Sequence, residues 1–260
     1  MKLILNADDF GLSESVNLGI VECFKAGVVK STTVMMNQQG TKHATKLYQQ
    51  GLIPEVGLHF TVTAGKPLSD PKDVPSLVDE HGNFLDKSVL MVKRDINEDE
   101  VYRELQAQYQ AAKEAGFDIN HIDSHHFAGV FLPLKNAFIR FANDVGLPVR
   151  RVDNIVEGQS ALKVATPDAF DERFFDRGVS LDNLKHLLSE YKRSMPNGVV
   201  ELMCHPSVDN NQDLNEVTGY VAMRAIEKGL LSSPELIAWL KEQNIECVGF
   251  DVFRDRQRNW

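Results

Sequence analysis

Residues 121–126 read His-Ile-Asp-Ser-His-His, and residues 6–11 read Asn-Ala-Asp-Asp-Phe-Gly. Each segment gathers carboxylates and imidazoles at the point where an apolar run ends. Side chains of these types bind divalent metal ions and transfer protons. Because active sites of α/β enzymes are built where strands end, the two segments predict an enzyme.

Polar side chains also follow three other apolar runs. His59 comes after the run at 56–58, Arg150 after the run at 148–149, and His205 after the run at 202–204. If these runs are parallel strands of a barrel, their carboxyl ends converge on one face, and residues distant in sequence meet there. An Arg at such a strand end could hold a carboxylate.

Asp9, His59 and His125 form the candidate metal triad. Two imidazoles and one carboxylate hold a divalent cation and leave positions open for water and substrate. In an extended segment alternate residues share a face, so Asp123 is predicted to point the same way as His125. Asp123 then either orients His125 or joins the ligands itself.

Each feature also has a purely structural explanation. A lone residue such as His59 is more often a surface or hydrogen-bonded core His than a metal ligand. The pair Asp8 and Asp9 could belong to the N-cap of a helix that begins near Ser13. Glu201, in the middle of an apolar run, is either salt-bridged or part of a site.

Short β-like runs alternate with segments of helical period along the chain. Strands are predicted at 2–6, 31–36, 56–60, 120–124, 148–152, 198–204 and 245–250, and helices at 13–26, 41–50, 97–115, 132–145, 180–193, 217–228 and 234–243. Repeated β-then-α units predict a parallel sheet with helices outside it. Seven or eight strands favour an α/β fold of the TIM-like (β/α) barrel type, with an open doubly wound sheet as the alternative.

The domain organisation is predicted to be simple. No repeat, linker or low-complexity segment divides the sequence, so one barrel domain is expected over residues 1–260. Two stretches without strong periodicity, 61–95 and 153–179, are expected to be irregular loops that shape a pocket or contact a partner.

Composition and charge narrow the range of partners. Of the 260 residues, 43% are hydrophobic and 25% are charged, which is typical of globular proteins. A formal net charge of -9 and a pI near 5.4 disfavour nucleic acid and anionic membranes as partners. No apolar stretch approaches the length of a membrane span, and the Cys residues show no pairing motif, so a cytoplasmic location is predicted.

Five segments of the sequence carry a family resemblance. They are Asn-Ala-Asp-Asp-Phe-Gly at 6–11, Ser-Thr-Thr at 31–33, Gly-Leu-His-Phe at 57–60, His-Ile-Asp-Ser-His-His at 121–126 and Met-Cys-His-Pro at 203–206. In this order they resemble the YdjC family of carbohydrate deacetylases, which includes chitooligosaccharide deacetylase. The resemblance implies a barrel-like (β/α) fold, a divalent ion, and hydrolysis of the acetamide of N-acetylated sugars such as the N-acetylglucosamine units of chitooligosaccharides.

The resemblance also implies roles for individual residues. One Asp of the pair Asp8 and Asp9 matches the catalytic base, a role that we assign to Asp8 although neighbouring carboxylates can exchange roles, and His205 occupies the position of the general acid in the analogous polysaccharide deacetylases. Asp123 and Arg150 are then candidates to bind substrate or to support the site. The family often continues with a third His where this chain has Phe127, so substrate contacts beside the metal are expected to differ.

For the metal itself, the resemblance and the ligand chemistry point in different directions. The resemblance makes Asp9, His59 and His125 the ligands and implies magnesium. Two nitrogen donors favour zinc or another first-row ion, since magnesium prefers an oxygen shell.

Two other functions stay open at this stage. One is a metal-dependent barrel enzyme with another chemistry, such as a sugar isomerase or phosphoesterase, and the other is a non-catalytic sugar-binding protein. Some aromatic residues are candidates to stack on a sugar, although most large apolar side chains belong to the core: Phe10, Phe60, Phe127, Phe131 and Trp239. A homodimer is expected only because barrel enzymes often form one.

Overall fold

The computed structural model describes residues 1–152, 162–209 and 212–254. Its strands are β1 (Lys2–Phe10), β2 (Ser31–Val34), β3 (Val56–Phe60), β4 (Ile119–Ser124), β5 (Ala169–Asp171), β6 (Val199–Cys204) and β7 (Glu246–Cys247). Its α-helices are α1 (Glu14–Ala26), α2 (Thr41–Gln49), α3 (Lys87–Val92), α4 (Glu98–Glu114), α5 (Lys135–Val145), α6 (Leu181–Ser194), α7 (Ala222–Leu231) and α8 (Pro234–Glu242). Helices follow most of the strands, as the alternating pattern predicted.

The seven strands form one sheet in the order β4-β3-β2-β1-β6-β5, with β7 paired to the start of β1. All strand pairs that the structure describes are parallel. The carboxyl ends of β4, β3, β1 and β6 therefore lie along the same edge of the sheet, which is where polar residues were predicted to meet.

The first βα unit shows how the sequence sets up this edge. In β1, Leu3, Leu5 and Ala7 are fully buried in the core. The hydroxyl of Ser13 accepts a hydrogen bond from the Val16 amide and so caps α1. Because Ser13 takes this position, the alternative that placed Asp8 and Asp9 in the cap is wrong.

The parallel α/β architecture is confirmed, but the described strands form a half-barrel and not a closed ring. β4 and β5 end the sheet, and no ladder between them occurs within the described ranges. The predicted strand at 148–152 contributes only one parallel bridge, from Val149 to Ile122 in β4. Residues 148–152 therefore run beside β4 without forming a regular strand.

Other differences from the prediction lie in the stretches expected to be irregular. The segment 61–95 contains the short helix α3, and the segment 153–179 contains β5, which pairs with β6. Residues 153–161 of that segment lie outside the described residues. The last predicted strand is shorter than expected, because Phe250–Phe253 forms a 3-10 turn. Among the described helices, none is long and apolar enough to span a bilayer.

Candidate active site

Three of the predicted site residues meet at the carboxyl ends of β1, β3 and β4. Asp9 Oδ1 lies 3.3 Å from His59 Nε2 and 3.0 Å from His125 Nδ1. The two imidazole nitrogens are 3.3 Å apart. Two atoms that lie about 2.1 Å from one ion at right angles are about 3.0 Å apart, so these spacings suit neighbouring ligands of a single metal ion.

The hydrogen bonds around the triad also fit a cation. Asp9 Oδ1 is buried and has no hydrogen-bond partner among the residues that the structure describes. His59 Nδ1 lies 2.6 Å from Asp123 Oδ1, which fixes a proton on Nδ1 and turns Nε2 toward Asp9. Burial alone would lower the pKa of His59, but Asp123, Asp9 and Asp8 raise it to about 10. A positive charge, either a proton or a metal ion, is therefore favoured between His59 Nε2 and Asp9 Oδ1.

A second group of possible ligands, Asp8, His59 and Asp123, lies deeper in the half-barrel. The Arg150 guanidinium donates to both oxygens of Asp8 and lies 3.0 Å from Asp123 Oδ2. His59 Nδ1 contacts Asp123 Oδ1, so all four oxygens of Asp8 and Asp123 have partners. Asp9 keeps Oδ1 open toward the two imidazoles, so the group around Asp9 is the better cation site.

An irregularity in β1 brings two consecutive residues to the cavity. The pairing of β1 with β2 slips by one residue between Ala7 and Phe10, which is the signature of a β-bulge. Asp9 has a left-handed backbone with φ 72°, a conformation that Asp adopts more readily than most residues. As a result both Asp8 and Asp9 line the same cavity.

Arg150 fixes the charge of Asp8. Its Nη1 and Nη2 each donate to Asp8 over 2.7 Å, and Asn6 Nδ2 donates to Asp8 Oδ1 over 2.8 Å. Burial opposes ionisation, but the charge and hydrogen bonds of Arg150 lower the pKa of Asp8 to about 2. Arg150 is 3% exposed and lies behind Asp8, outside the cavity lining, so it supports Asp8 instead of facing the cavity.

Asp123 has a different partner from the one predicted. It was expected either to join the metal ligands or to orient His125; the orienting contact is made instead with His59, whose Nδ1 donates to Asp123 Oδ1. The expectation that Asp123 orients His125 was wrong because His125 lies beyond the end of β4, at the start of a 3-10 turn, where the alternation of a strand no longer applies. Asp123 remains inside the half-barrel, where Thr33 Oγ1 also donates to it.

Glu201 was predicted to be either salt-bridged or part of a site, and the structure shows a salt bridge. Its Oε1 accepts from Arg150 Nε over 2.8 Å, and the residue is fully buried. Burial raises the pKa of Glu201 and Arg150 lowers it, and the net result is a pKa of about 7. One guanidinium thus contacts three carboxylates.

His205 directly follows β6 and lines the same cavity as the triad. Its Nε2 is 3.9 Å from Asp8 Oδ2, and its buried Nδ1 has no partner among the described residues. Burial lowers the pKa of His205 to about 4, although Asp8 and Asp9 act to raise it. The ring is therefore neutral at pH 7 when no substrate or metal is bound.

Three residues near His205 were missed by the sequence analysis. Arg224 in α7 donates from Nη2 to Asp9 Oδ2 over 2.6 Å and from Nε to the Tyr220 carbonyl. Glu227 Oε2 accepts from the His205 amide, and Glu227 Oε1 accepts from the Tyr220 hydroxyl over 2.6 Å. Burial raises the pKa of Glu227 to about 7. The only sequence signal was two charged residues on a helix, which usually indicate a solvated face.

The triad, Asp8 and His205 share one cavity of about 430 Å³, a size that suits a small ligand. His126 and Phe127 also line it, and both have left-handed backbones with φ 55°. Of the aromatic candidates, Phe10 and Phe60 are fully buried core residues, whereas Phe127 faces the cavity. The cavity thus combines carboxylates, imidazoles and aromatic rings.

Comparisons with known proteins show which family this chain resembles. A family model described as YdjC-like protein matches residues 2–242. A carbohydrate deacetylase from Vibrio campbellii is 37% identical over 256 residues, covering 97% of this chain and 96% of that protein. A carbohydrate deacetylase from Thermoanaerobacter pseudethanolicus is 34% identical, covering 97% and 99%.

A solved structure is similar over the same length. It is a protein from Enterococcus faecalis with a proposed role in cellobiose-phosphate cleavage, and it superposes with a TM-score of 0.89 at 31% identity. The superposition covers 97% of this chain and 98% of that one.

Proposed function

Because the chain belongs to the YdjC-like protein family, we propose that it is a metal-dependent carbohydrate deacetylase. It would hydrolyse the acetamide of an N-acetylated sugar, such as an N-acetylglucosamine unit of a chitooligosaccharide, to the amine and acetate. The observation that carries the proposal is the convergence of Asp9 Oδ1, His59 Nε2 and His125 Nδ1 in a cavity that also holds Asp8 and His205.

Asp9, His59 and His125 would hold the metal ion. When bound, a divalent ion polarises an amide carbonyl and lowers the pKa of a water molecule. Asp123 keeps the His59 ring turned so that Nε2 faces the ion site, which is the usual role of a carboxylate behind a metal-binding His. The donor set favours zinc or another first-row ion over magnesium, which only the family resemblance supports.

Asp8 would act as the general base. Its Oδ2 faces the cavity and accepts from Arg150 while leaving room for a further hydrogen bond. Arg150 keeps Asp8 ionised, so the carboxylate is ready to accept a proton from the attacking water. The pKa of about 2 makes Asp8 a weak base, so the reaction depends on a water that is already acidified.

His205 would protonate the leaving nitrogen. Because its pKa of about 4 leaves the ring neutral at pH 7, His205 must receive its proton during the reaction. Asp8 Oδ2 lies 3.9 Å from His205 Nε2 and gains a proton in the first step. Because 3.9 Å is beyond hydrogen-bond distance, the proton would pass from Asp8 to His205 through a bridging water molecule.

Acetate release tests the proposal directly. The protein would be assayed with N-acetylglucosamine, its phosphate and short chitooligosaccharides, with and without a chelator, and after reloading with magnesium or zinc. We expect release that the chelator abolishes and that His125→Ala loses together with bound metal. His81→Ala is the matched control, since the His81 side chain is 75% exposed. No release from any sugar by metal-loaded protein would refute a deacetylase and leave another metal-dependent chemistry or a binding role.

A further inference from the structure

Phe175 is an exposed aromatic ring at the edge of the candidate active site. Its neighbour Phe174 is fully buried, whereas Phe175 is 38% exposed and lines the cavity that holds Asp9 and His205. Single exposed apolar residues are common on protein surfaces. Phe175 differs from those because its surroundings hold the ring in place beside groups that could do chemistry.

Tyr220 supports Phe175 from one side. The two rings are stacked, with centroids 4.2 Å apart and planes 23° from parallel. The His205 ring meets Phe175 edge-on at a centroid distance of 5.2 Å. Tyr220 covers one face of Phe175 and His205 lies beside the ring, while Phe175 keeps 38% of its surface exposed and lines the cavity.

Hydrogen bonds fix this aromatic pair relative to the candidate catalytic groups. The Tyr220 hydroxyl donates to Glu227 Oε1, and the other oxygen of Glu227 accepts from the His205 amide. The Tyr220 carbonyl accepts from Arg224, which also holds Asp9. The ring of Phe175 therefore keeps a defined distance from both the proton donor and the metal site.

We infer that Phe175 is the platform on which the sugar ring bearing the acetamide stacks, an inference that rests on the proposed function. A pyranose with equatorial hydroxyls presents C–H groups on its faces, and these pack on the electron-rich face of an aromatic ring. His205 must reach the nitrogen attached to that sugar. Because His205 touches Phe175, the ring nearest the platform is the one that carries the nitrogen, and not a more distant sugar of an oligomer.

Steady-state kinetics and sugar binding test the inference. Phe175→Ala removes a surface worth about tenfold in affinity, so KM for N-acetylglucosamine and for chitooligosaccharides should rise by about tenfold while kcat changes little. Calorimetry on chelator-treated protein should show a similar loss in Kd for the unhydrolysed sugar, because that measurement involves no metal and no turnover. Phe175→Trp, which restores an aromatic face, should recover most of the affinity.

Leu132→Ala provides the matched control, since Leu132 is 77% exposed and lies outside this cavity. An unchanged KM and Kd in Phe175→Ala, or a loss confined to kcat, would overturn the platform. If the wild-type protein releases no acetate, the deacetylase proposal fails, and the calorimetric comparison still decides whether Phe175 binds a sugar.

Discussion

The cavity has two walls that are built in different ways. The strand-end wall consists of Asp9, His59 and His125, which lie at the carboxyl ends of β1, β3 and β4. The helix wall consists of Phe175, His205, Tyr220 and Arg224, which come mainly from loops and from α7. The buried Glu227 of α7 supports this wall through its contacts with His205 and Tyr220. On the strand-end wall, sheet register brings the side chains together, whereas on the helix wall a chain of hydrogen bonds does so. One wall is therefore specified by backbone pairing and the other by side-chain partners.

Buried carboxyl groups beside the two walls also have different pKa values. Asp8, beside the strand-end wall, has a pKa near 2 because Arg150 donates to both of its oxygens. Glu227, which supports the helix wall, has a pKa near 7, since burial outweighs its hydrogen bonds to the Tyr220 hydroxyl and the His205 amide. The guanidinium aimed at both oxygens of Asp8 keeps that buried acid charged, whereas the two neutral donors to Glu227 do not outweigh its burial.

Among the substitutions that distinguish the two walls, His205→Ala is expected to have the largest effect on turnover. Loss of a general acid lowers turnover by about 10²- to 10⁴-fold, whereas bound metal, measured by elemental analysis, should stay unchanged. His59→Ala should lose the metal as well as the activity. His186→Ala is the control, because its side chain is 67% exposed. Loss of metal in His205→Ala with normal activity per bound ion would contradict the division between the walls.

The second effect concerns stability and uses Glu227→Gln. A pKa raised from 4.5 to about 7 means that the folded state holds a proton that the unfolded state releases. The associated stability is complete below pH 4.5 and is lost as the pH rises through 7, by up to about 3 kcal/mol. Chemical denaturation at pH 5 and pH 8 should therefore show a smaller decrease for Glu227→Gln than for the wild type.

Glu235→Gln serves as the comparison for that experiment, since the Glu235 side chain is 67% exposed and pairs with Lys185 on the surface. It should leave the pH dependence unchanged. A wild-type protein that is equally stable at the two pH values would show that Glu227 is ionised throughout.

The smallest effect is expected for Arg224→Gln, which removes the contact that joins the two walls. Arg224 donates a hydrogen bond to Asp9 Oδ2, so Asp9 Oδ1 is the oxygen that faces the imidazoles of His59 and His125. Loss of a residue that orients a metal ligand typically weakens metal binding by about 10- to 100-fold, and titration calorimetry with zinc or manganese measures this. Arg140→Gln, at a surface pair with Asp99, should have no effect. Unaltered affinity would mean that the backbone alone positions Asp9.

The strand-end wall could be predicted from the sequence because its residues stand at the ends of apolar runs. Asp9, His59 and His125 were all identified in this way, and the structure places them within contact of one another. The partner of Asp123 was not predictable, because His125 leaves the strand just where alternation would have placed it. Periodicity fails at strand ends, which is where the site is built.

Apart from His205, which directly follows β6 and was predicted, the helix wall could not be predicted, for a different physical reason. Arg224 and Glu227 lie on α7, and charged residues on a helix normally face solvent. The helical pattern was predicted from residue 217, whereas α7 begins at Ala222, so Tyr220 belongs to the preceding loop. Similarly, β5 was missed because it has only three residues and pairs along one edge. Tertiary partners, and not local patterns, decide these features.

The bulge at the end of β1 has a consequence for how firmly the site is assembled. Consecutive residues of a regular strand point to opposite faces, but here Asp8 and Asp9 both reach the cavity. Adjacent Cα atoms are about 3.8 Å apart by covalent geometry. The separation between the proposed proton acceptor and the proposed ion ligand is thus set by a single peptide unit. Motions that shift the helices and loops of the half-barrel leave the distance between the Cα atoms of Asp8 and Asp9 unchanged.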